Sequence, residues 1–315
     1  MRRSQTWALV LTAVFAIGLA FCSAAATHGD TYPGHMSPSK PAVPATNVFA
    51  PAIGICTSLD NAALAKSAGC DYIEEGVRSF LVPDRPDLEF QPKFALLKGS
   101  PLLIRACNGF LPETLKSVGP QARPDAIVAF AETAFRRGRE AGVCYIVFGS
   151  SGSRGIPEGF DHAAARAQFI DLLKRLGPVA GKYGLVVALE PLRRAECNFI
   201  NTVAEAAAIA REVDDPHCRL LADFYHMLCE DEGPASIVAA GPLLVHCHLA
   251  EEEGRTPPGV HGQDFTPYLE ALRRIGYAGG ISFEGRFSDL AKELPVAVKT
   301  LRAQIAKVSA AAGTQ

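Results

Sequence analysis

The sequence contains a series of apolar segments that each end at a charged or metal-ligating side chain. One such segment, residues 185–189, is followed by Glu190 and Pro191. A short apolar run of this kind is typical of a parallel strand buried on both faces, and Pro191 has no N–H to continue the ladder. The sequence therefore predicts a strand that leaves Glu190 at its carboxyl end.

The same pattern recurs three times downstream. Asp223, His248 and Glu284 each close an apolar segment, and the spacings from Glu190 onward are 33, 25 and 36 residues. These intervals suit a strand followed by a helix, and strands that alternate with helices predict a parallel sheet. In a closed barrel of such units the strand carboxyl ends meet at one face, so we expect the four side chains to converge there.

Apolar segments with helix-like intervals continue through the chain. The predicted strands are residues 52–56, 72–75, 102–107, 144–149, 185–190, 219–223, 243–249 and 280–284. The predicted helices include residues 126–135, 163–182, 202–213, 265–275 and 290–305, where apolar side chains recur at spacings of three and four. Eight repeats favour an α/β fold closed into a (β/α)8 TIM barrel, a single domain over residues 48–310, over an open doubly wound sheet.

The amino-terminal segment predicts export. In residues 1–26 two arginines precede an uncharged apolar run, and small residues then supply a cleavage site, which is the pattern of a signal peptide. Residues 27–47 are rich in Pro, Gly, Ser and Ala without a period, which indicates a flexible linker. We expect a periplasmic or secreted protein. Cys22 raises lipoprotein anchoring as an alternative, but Phe21 stands where a small residue is wanted.

Charge and cysteine content exclude some classes of protein. The formal net charge is −2 and no basic block is present, which argues against a nucleic-acid partner. The nine cysteines include no CxxC pair, so we expect buried thiols in preference to disulfides.

Two glutamates, one aspartate and one histidine that converge are a ligand set for a divalent cation. Three carboxylates without a cation would repel one another and raise one another's pKa values. Oxygen ligands with a single nitrogen suit Mn²⁺, Mg²⁺ or Co²⁺ better than a thiol-seeking ion.

Several motifs surround these strand ends. They are the segments 188–196, 223–227, 246–250, 255–259 and 281–284, together with the earlier segments 68–74 and 108–112. In these motifs the chain resembles the xylose isomerase-like barrel family, and most closely its branch of D-tagatose and D-psicose 3-epimerases and hydroxypyruvate isomerases. The resemblance covers nearly all of the chain after the linker. It implies a sugar isomerase or epimerase with a small sugar as its partner, and it leaves a homo-oligomer open.

The resemblance also implies roles for individual residues. One divalent ion, with Mn²⁺ favoured and Mg²⁺ or Co²⁺ as alternatives, would be held by Glu190, Asp223, His248 and Glu284. Glu190 and Glu284 would also be the catalytic acid and base. The substrate would be contacted by Glu196, His226, Arg255, Glu74 and Asn108. His246 is interpreted as a core histidine behind the ligands.

Elementary chemistry agrees with this assignment. A metal that binds carbonyl and hydroxyl oxygens stabilises an enediolate, and a carboxylate on each side of the carbon can remove and return the proton.

Two departures from the family pattern lie at the rim of the predicted pocket and leave the substrate open. Arg193-Arg194 replaces the usual Asn-Arg, and the loop with Glu251-Glu252-Glu253 is one residue longer than expected. Two alternatives stay open. The first is a lyase that acts on keto-sugars or keto-glycosides by the same proton abstraction. The second is a sugar-binding barrel without catalysis. A DNA repair endonuclease of the same barrel family is disfavoured by Glu74 and Asn108, where that group has histidines.

Overall fold

The computed structural model describes residues 49–312, and the predicted signal peptide and linker lie outside this range. Eight parallel strands pair in chain order and β8 pairs with β1, so the sheet closes into a barrel. The strands are β1 Ala52–Cys56, β2 Tyr72–Gly76, β3 Ile104–Asn108, β4 Tyr145–Phe148, β5 Val186–Leu189, β6 Cys218–Asp223, β7 Leu244–Leu249 and β8 Gly280–Phe283. The predicted (β/α)8 barrel is confirmed, and the predicted strand ends fall within two residues of those observed.

Helices follow the strands and cover the outside of the barrel. They are α1 Ala62–Ala68, α2 Asp87–Ala95, α3 Pro124–Ala141, α4 Ser151–Arg154, α5 His162–Tyr183, α6 Val203–Val213, α7 Phe224–Cys229, α8 Ala235–Ala240, α9 Thr266–Arg274 and α10 Leu290–Ala312. A π-helical turn spans Val77–Leu81, and 3-10 turns span Leu59–Asn61, Leu96–Gly99, Gly241–Leu243 and Glu253–Arg255. Capping residues explain several of the helix starts. Thr202, for example, forms a capping box with Glu205 at the start of α6.

The main core lies between the barrel wall and the surrounding helices. It contains aromatic contacts such as Phe148 with Phe110 and with Phe169, whose ring centroids are 5.3 and 5.2 Å apart. Inside the barrel, Val147, Ala188 and Leu221 form a small apolar cluster next to buried polar side chains of β2, β7 and β8. Successive side chains of a strand alternate between these two regions. Side chains at the carboxyl ends of the strands that point inward therefore lie at the mouth of the barrel.

Two further findings concern the described residues. No helix in residues 49–312 has the length and hydropathy needed to cross a bilayer. The thiols of Cys56, Cys70, Cys107, Cys197, Cys218, Cys229 and Cys247 form no disulfides, in agreement with the prediction.

Candidate metal centre and substrate pocket

The four predicted metal ligands meet at the carboxyl ends of β5 to β8. Each of Glu190, Asp223, His248 and Glu284 offers one ligand atom, and these atoms lie within 4.8 Å of one another. Glu190 and Asp223 are buried, His248 is completely buried, and the Glu284 side chain is 26% exposed. Barrel closure brings them together, because β6, β7 and β8 are neighbouring strands and β5 adjoins β6.

His248 lies at the centre of this group. Its Nδ1 is 2.9 Å from Glu190 Oε1 and 3.3 Å from Glu284 Oε2. Its Nε2 is 2.9 Å from Glu74 Oε1. A carboxylate that accepts from Nε2–H fixes the tautomer and leaves Nδ1 free as a ligand, an arrangement common for metal-binding histidines.

Donors outside the ligand group orient the carboxylates of Asp223 and Glu284. Asp223 Oδ1 accepts a hydrogen bond of 2.8 Å from Tyr225 N and so caps α7, which leaves Oδ2 facing the centre. Glu284 Oε1 accepts from Asn108 Nδ2 at 3.0 Å, and Oε2 accepts from Arg255 Nη2 at 2.5 Å. These bonds hold each carboxylate in one orientation.

The electrostatics of the centre are those of a crowded, buried anionic group. Burial raises the pKa of Glu190, and burial together with the charge of Glu284 raises the pKa of Asp223 to about 6. Burial opposes ionisation of Glu284 as well, but His248 and Arg255 outweigh it and lower its pKa. The carboxylates around His248 raise its pKa well above the usual value despite burial. A divalent cation would displace the second proton from the His248 ring and supply the compensating positive charge in its place.

Glu74 lines the cavity that Asn108 also borders, and its predicted contact with substrate stays a prediction. The Glu74 side chain is 1% exposed, and both of its oxygens are bonded within the barrel. Its Oε1 bonds His248, and its Oε2 is 2.7 Å from both His246 Nε2 and Ser282 Oγ. These bonds orient the His248 ring. His246 is completely buried behind His248, which agrees with its interpretation as a core residue.

Arg255 and His226 each lie beside a predicted metal ligand, and Glu196 lies beside Arg255. Arg255 Nη1 is 3.6 Å from Glu196 Oε1, and its guanidinium stacks over the Tyr225 ring at 4.6 Å. Tyr225 was not among the predicted site residues, although its position two residues after Asp223 places it beside the centre.

His226 has a buried donor without a partner. Its Nδ1 accepts from Arg193 N at 3.3 Å, so its proton is on Nε2. That nitrogen makes no hydrogen bond in the described chain, although Asp223 Oδ2 is 3.4 Å away. Burial lowers the pKa of His226, so the ring is neutral near pH 7. A buried N–H of this kind is ready to bind a ligand oxygen.

Asn108, which bonds Glu284, also borders a cavity. The cavity has a volume of about 330 Å³ and is lined by the ends of β1, β2 and β3 and by α2. Polar side chains from Thr57, Ser58, Asp60, Ser79, Lys93 and Asn108 contribute to its wall. Its size and polar lining suit a small hydroxylated molecule.

A second group of side chains in the described chain could also hold an ion. It consists of Cys56, Glu74 and His248, and Cys56 Sγ is 3.9 Å from His248 Nε2. This group shares His248 with the first but offers one ligand fewer, and Glu74 is already bonded to His246 and Ser282. The group around Glu190 is therefore the better candidate.

Comparisons with known proteins agree with this geometry. The model of the xylose isomerase-like TIM barrel family matches residues 62–304. The 3-dehydro-D-guloside 4-epimerase of Escherichia coli is 38% identical over 122 residues, which are 38% of this chain and 46% of that protein. The L-ribulose 3-epimerase of Methylomonas sp. is 36% identical over 126 residues, 40% of this chain and 44% of that protein. The matched segment is thus less than half of either relative.

Solved structures extend the likeness over the barrel. The 3-keto-D-glucoside 4-epimerase from E. coli superposes with a TM-score of 0.70 at 25% identity, over 81% of this chain and 100% of that one. A D-psicose 3-epimerase crystallised with D-fructose shares the fold, with a TM-score of 0.66 at 21% identity over 82% of this chain and 95% of that one. The relatives named here are sugar epimerases, which are enzymes of the isomerase class. Since the family model spans most of the sequence, the chain belongs to the xylose isomerase-like TIM barrel family.

Proposed function

We propose that this protein is a metal-dependent sugar epimerase or isomerase that transfers a proton at the carbon next to a carbonyl. One observation carries the proposal: Glu190 and Glu284 approach the same nitrogen of His248 from two different strands, at 2.9 and 3.3 Å. Two carboxylates that flank one centre suit removal and return of a proton. A site that only binds sugar would not need both.

The donor set fits one divalent cation held by Glu190, Asp223, His248 through Nδ1, and Glu284. Oxygen donors outnumber nitrogen, so Mn²⁺ is the favoured ion, with Mg²⁺ or Co²⁺ as alternatives. A bound cation would supply the positive charge that stabilises an enediolate.

Proton transfer is assigned to the two glutamates. One carboxylate takes the proton as the C–H bond breaks, the C–H electrons form the C=C bond of the enediolate, and the electrons of the C=O π bond move onto the carbonyl oxygen. Return of a proton to the opposite face of the same carbon by the other carboxylate gives the epimer. Return of a proton to the former carbonyl carbon, with transfer of the hydroxyl proton from the neighbouring oxygen to the former carbonyl oxygen, gives the isomer. Asn108 and Arg255 each bond Glu284 and so hold this carboxylate in place.

Positioning of the sugar is assigned to groups around the centre. His226 would donate its unpartnered Nε2–H to a substrate oxygen, and Glu196 and Arg255 would bind neighbouring hydroxyls. The rest of the sugar would occupy the polar cavity beside Asn108.

Two relatives support one chemical class of reaction. A 4-epimerase of a 3-keto sugar and a 3-epimerase of a 2-ketose both act at a carbon next to a ketone. The similarity to a protein named for 3-dehydro-D-guloside supports keto-glycosides as candidate substrates beside free ketoses. Elimination from such a glycoside begins with the same proton abstraction, so a lyase is the second candidate.

The proposal is tested by isotope exchange in heavy water. The Mn²⁺-loaded protein is incubated with ketoses, aldoses and 3-keto-glycosides, and each sugar is analysed by NMR. We expect deuterium at a carbon next to the carbonyl, and its loss in Glu190→Gln and Glu284→Gln. Glu158→Gln, at an exposed position, serves as the control of equal charge change and should retain exchange. Release of the aglycone with formation of an unsaturated sugar would instead identify a lyase. If a sugar binds but none of the sugars tested exchanges deuterium, catalysis is refuted.

We also propose that the protein is exported. The support is the sequence of residues 1–26 alone, with its paired arginines, apolar run and alanine-rich end.

A further inference from the structure

The loop after β7 contains a buried carboxylate that no part of the proposed chemistry uses. Glu251, Glu252 and Glu253 are consecutive, and such a run of charges is usually a solvated surface. Glu252 and Glu253 are indeed exposed, but Glu251 is completely buried. A buried carboxylate persists only where it is well hydrogen-bonded, so its partners indicate its role.

Within residues 49–312, the donors to the Glu251 carboxylate all come from its own loop. Oε1 accepts from the backbone N–H groups of Gly259, Gly262 and Gln263 at 2.7, 3.1 and 3.3 Å. Oε2 accepts from His261 N at 2.6 Å and from the Thr256 hydroxyl at 3.1 Å. The Glu251 side chain thus accepts from four backbone N–H groups of a loop that is not part of the barrel sheet.

This arrangement requires acceptors on both oxygens. A glutamine at position 251 has nearly the same shape, but its amide places N–H groups against donors whichever way it is turned. In one orientation the glutamine NH2 group faces the three N–H donors that now point at Oε1. In the other orientation it faces His261 N–H and the Thr256 hydroxyl. Each unsatisfied buried group costs about 1–3 kcal/mol, so the loop would shift.

The same loop carries Arg255. Glu251 N donates to the carbonyl oxygen of Thr256, the residue that follows Arg255, at 2.8 Å. The carbonyl oxygen of Arg255 itself accepts from Arg286 N at 2.7 Å. Arg255 has a left-handed backbone, with φ of 55°, which a residue with a Cβ adopts only when its surroundings impose it. Its guanidinium then reaches Glu284 Oε2 at 2.5 Å and the Glu284 carbonyl oxygen at 3.1 Å.

We propose that Glu251 is a positioning residue that holds the loop of residues 255–263 in the conformation in which Arg255 meets Glu284 and the substrate. The inference rests on the proposed function for its kinetic consequence, but its structural consequence can be measured without any substrate. The three-glutamate run at the rim is therefore one internal anchor followed by two surface charges.

The structural test compares Glu251→Gln with Glu252→Gln, a neighbouring exposed site with the same charge change. Hydrogen exchange of the amides of Gly259, His261, Gly262 and Gln263 is measured by NMR in both variants. We expect exchange at least tenfold faster in Glu251→Gln and unchanged in Glu252→Gln. The side-chain Nε–H signal of Arg255, which donates to the Glu284 carbonyl, should lose its protection only in Glu251→Gln. Unchanged protection of Arg255 in a folded Glu251→Gln would overturn the proposal.

The kinetic test uses a double-mutant cycle with Arg255→Ala. A 1 Å displacement of a binding group can reduce activity about a hundredfold, so we expect kcat/KM of Glu251→Gln to fall tenfold to a hundredfold. If Glu251 acts through Arg255, adding Glu251→Gln to Arg255→Ala should change kcat/KM less than twofold further. Multiplicative losses would contradict the positioning role.

If Glu251→Gln does not fold, Thr256→Val removes one donor of the same contact and should show the same effects at smaller size. If the wild type has no activity on any sugar, the proposed function fails while the exchange measurements still decide the role of Glu251.

Discussion

Gly149 leaves the space that the Glu190 carboxylate occupies, and filling it should weaken metal binding without unfolding the barrel. A Cβ at position 149 would lie about 1 Å inside normal contact distance of Glu190 Oε2. The backbone of Gly149 does not need a positive φ, so alanine is tolerated there. Gly149 directly follows β4, so its backbone is held in place by the barrel. The Glu190 carboxylate is the flexible end of its side chain and would therefore be the group that moves.

The expected magnitude follows from this displacement. Loss of support for a metal ligand typically weakens metal binding about 10- to 100-fold, or about 1.4–2.7 kcal/mol. The metal-free Gly149→Ala protein should stay within about 1 kcal/mol of the wild type, because alanine also reduces the entropy of the unfolded chain.

Calorimetric unfolding with and without Mn²⁺ measures both quantities. At free Mn²⁺ of 100 times the wild-type dissociation constant, the wild type should gain about 2.7 kcal/mol. A variant that binds a hundredfold more weakly should gain only about 0.4 kcal/mol under the same conditions. Gly99→Ala is the matched control, because nothing lies within 4 Å of a Cβ there. An equal gain in Gly149→Ala and wild type would refute the placement of Glu190 in the metal site.

Three further predictions follow from the site, the core and the amino terminus. His226→Ala should lower kcat/KM about tenfold or more while leaving Mn²⁺ affinity unchanged, because Nε2 is assigned to substrate and not to metal; steady-state kinetics and metal titration separate the two. Burial raises the pKa of Cys70, Cys218 and Cys247 to about 12, so at pH 8 only about one thiol in ten thousand is ionised. Iodoacetamide should therefore leave these thiols unmodified in the native protein and label them after denaturation, and rapid native labelling would contradict the packing. Mass spectrometry of the protein from the envelope fraction should show cleavage near Ala26, whereas a full-length cytosolic chain would exclude export.

The barrel could be predicted from sequence because its strands are buried on both faces and end at polar residues. Glu190, Asp223, His248 and Glu284 each stop an apolar run, so their convergence follows from the topology alone. The turn at Val77–Leu81 and helix α2 were not predicted, since α2 contains Pro92 and has only Phe90 buried.

Hydrogen-bond partners inside the site could not be predicted in the same way. Glu74 lies within β2 and bonds His248 and His246, whereas Glu190 directly follows β5, and the sequence pattern does not distinguish their partners. Glu251 is the first of three consecutive glutamates, and only the course of the loop separates it from its exposed neighbours. Both cases depend on contacts between residues far apart in sequence or on irregular backbone, which have no period to detect.

One divalent ion is proposed to bind between Glu190, Asp223, His248 Nδ1 and Glu284. Crystals grown with Mn²⁺, with diffraction data collected on both sides of the manganese absorption edge, locate the ion directly. We expect one anomalous peak per chain among these four side chains, with Glu74 still bonded to His248 Nε2. Absence of a peak there, or a peak between Cys56, Glu74 and His248 Nε2, would contradict it.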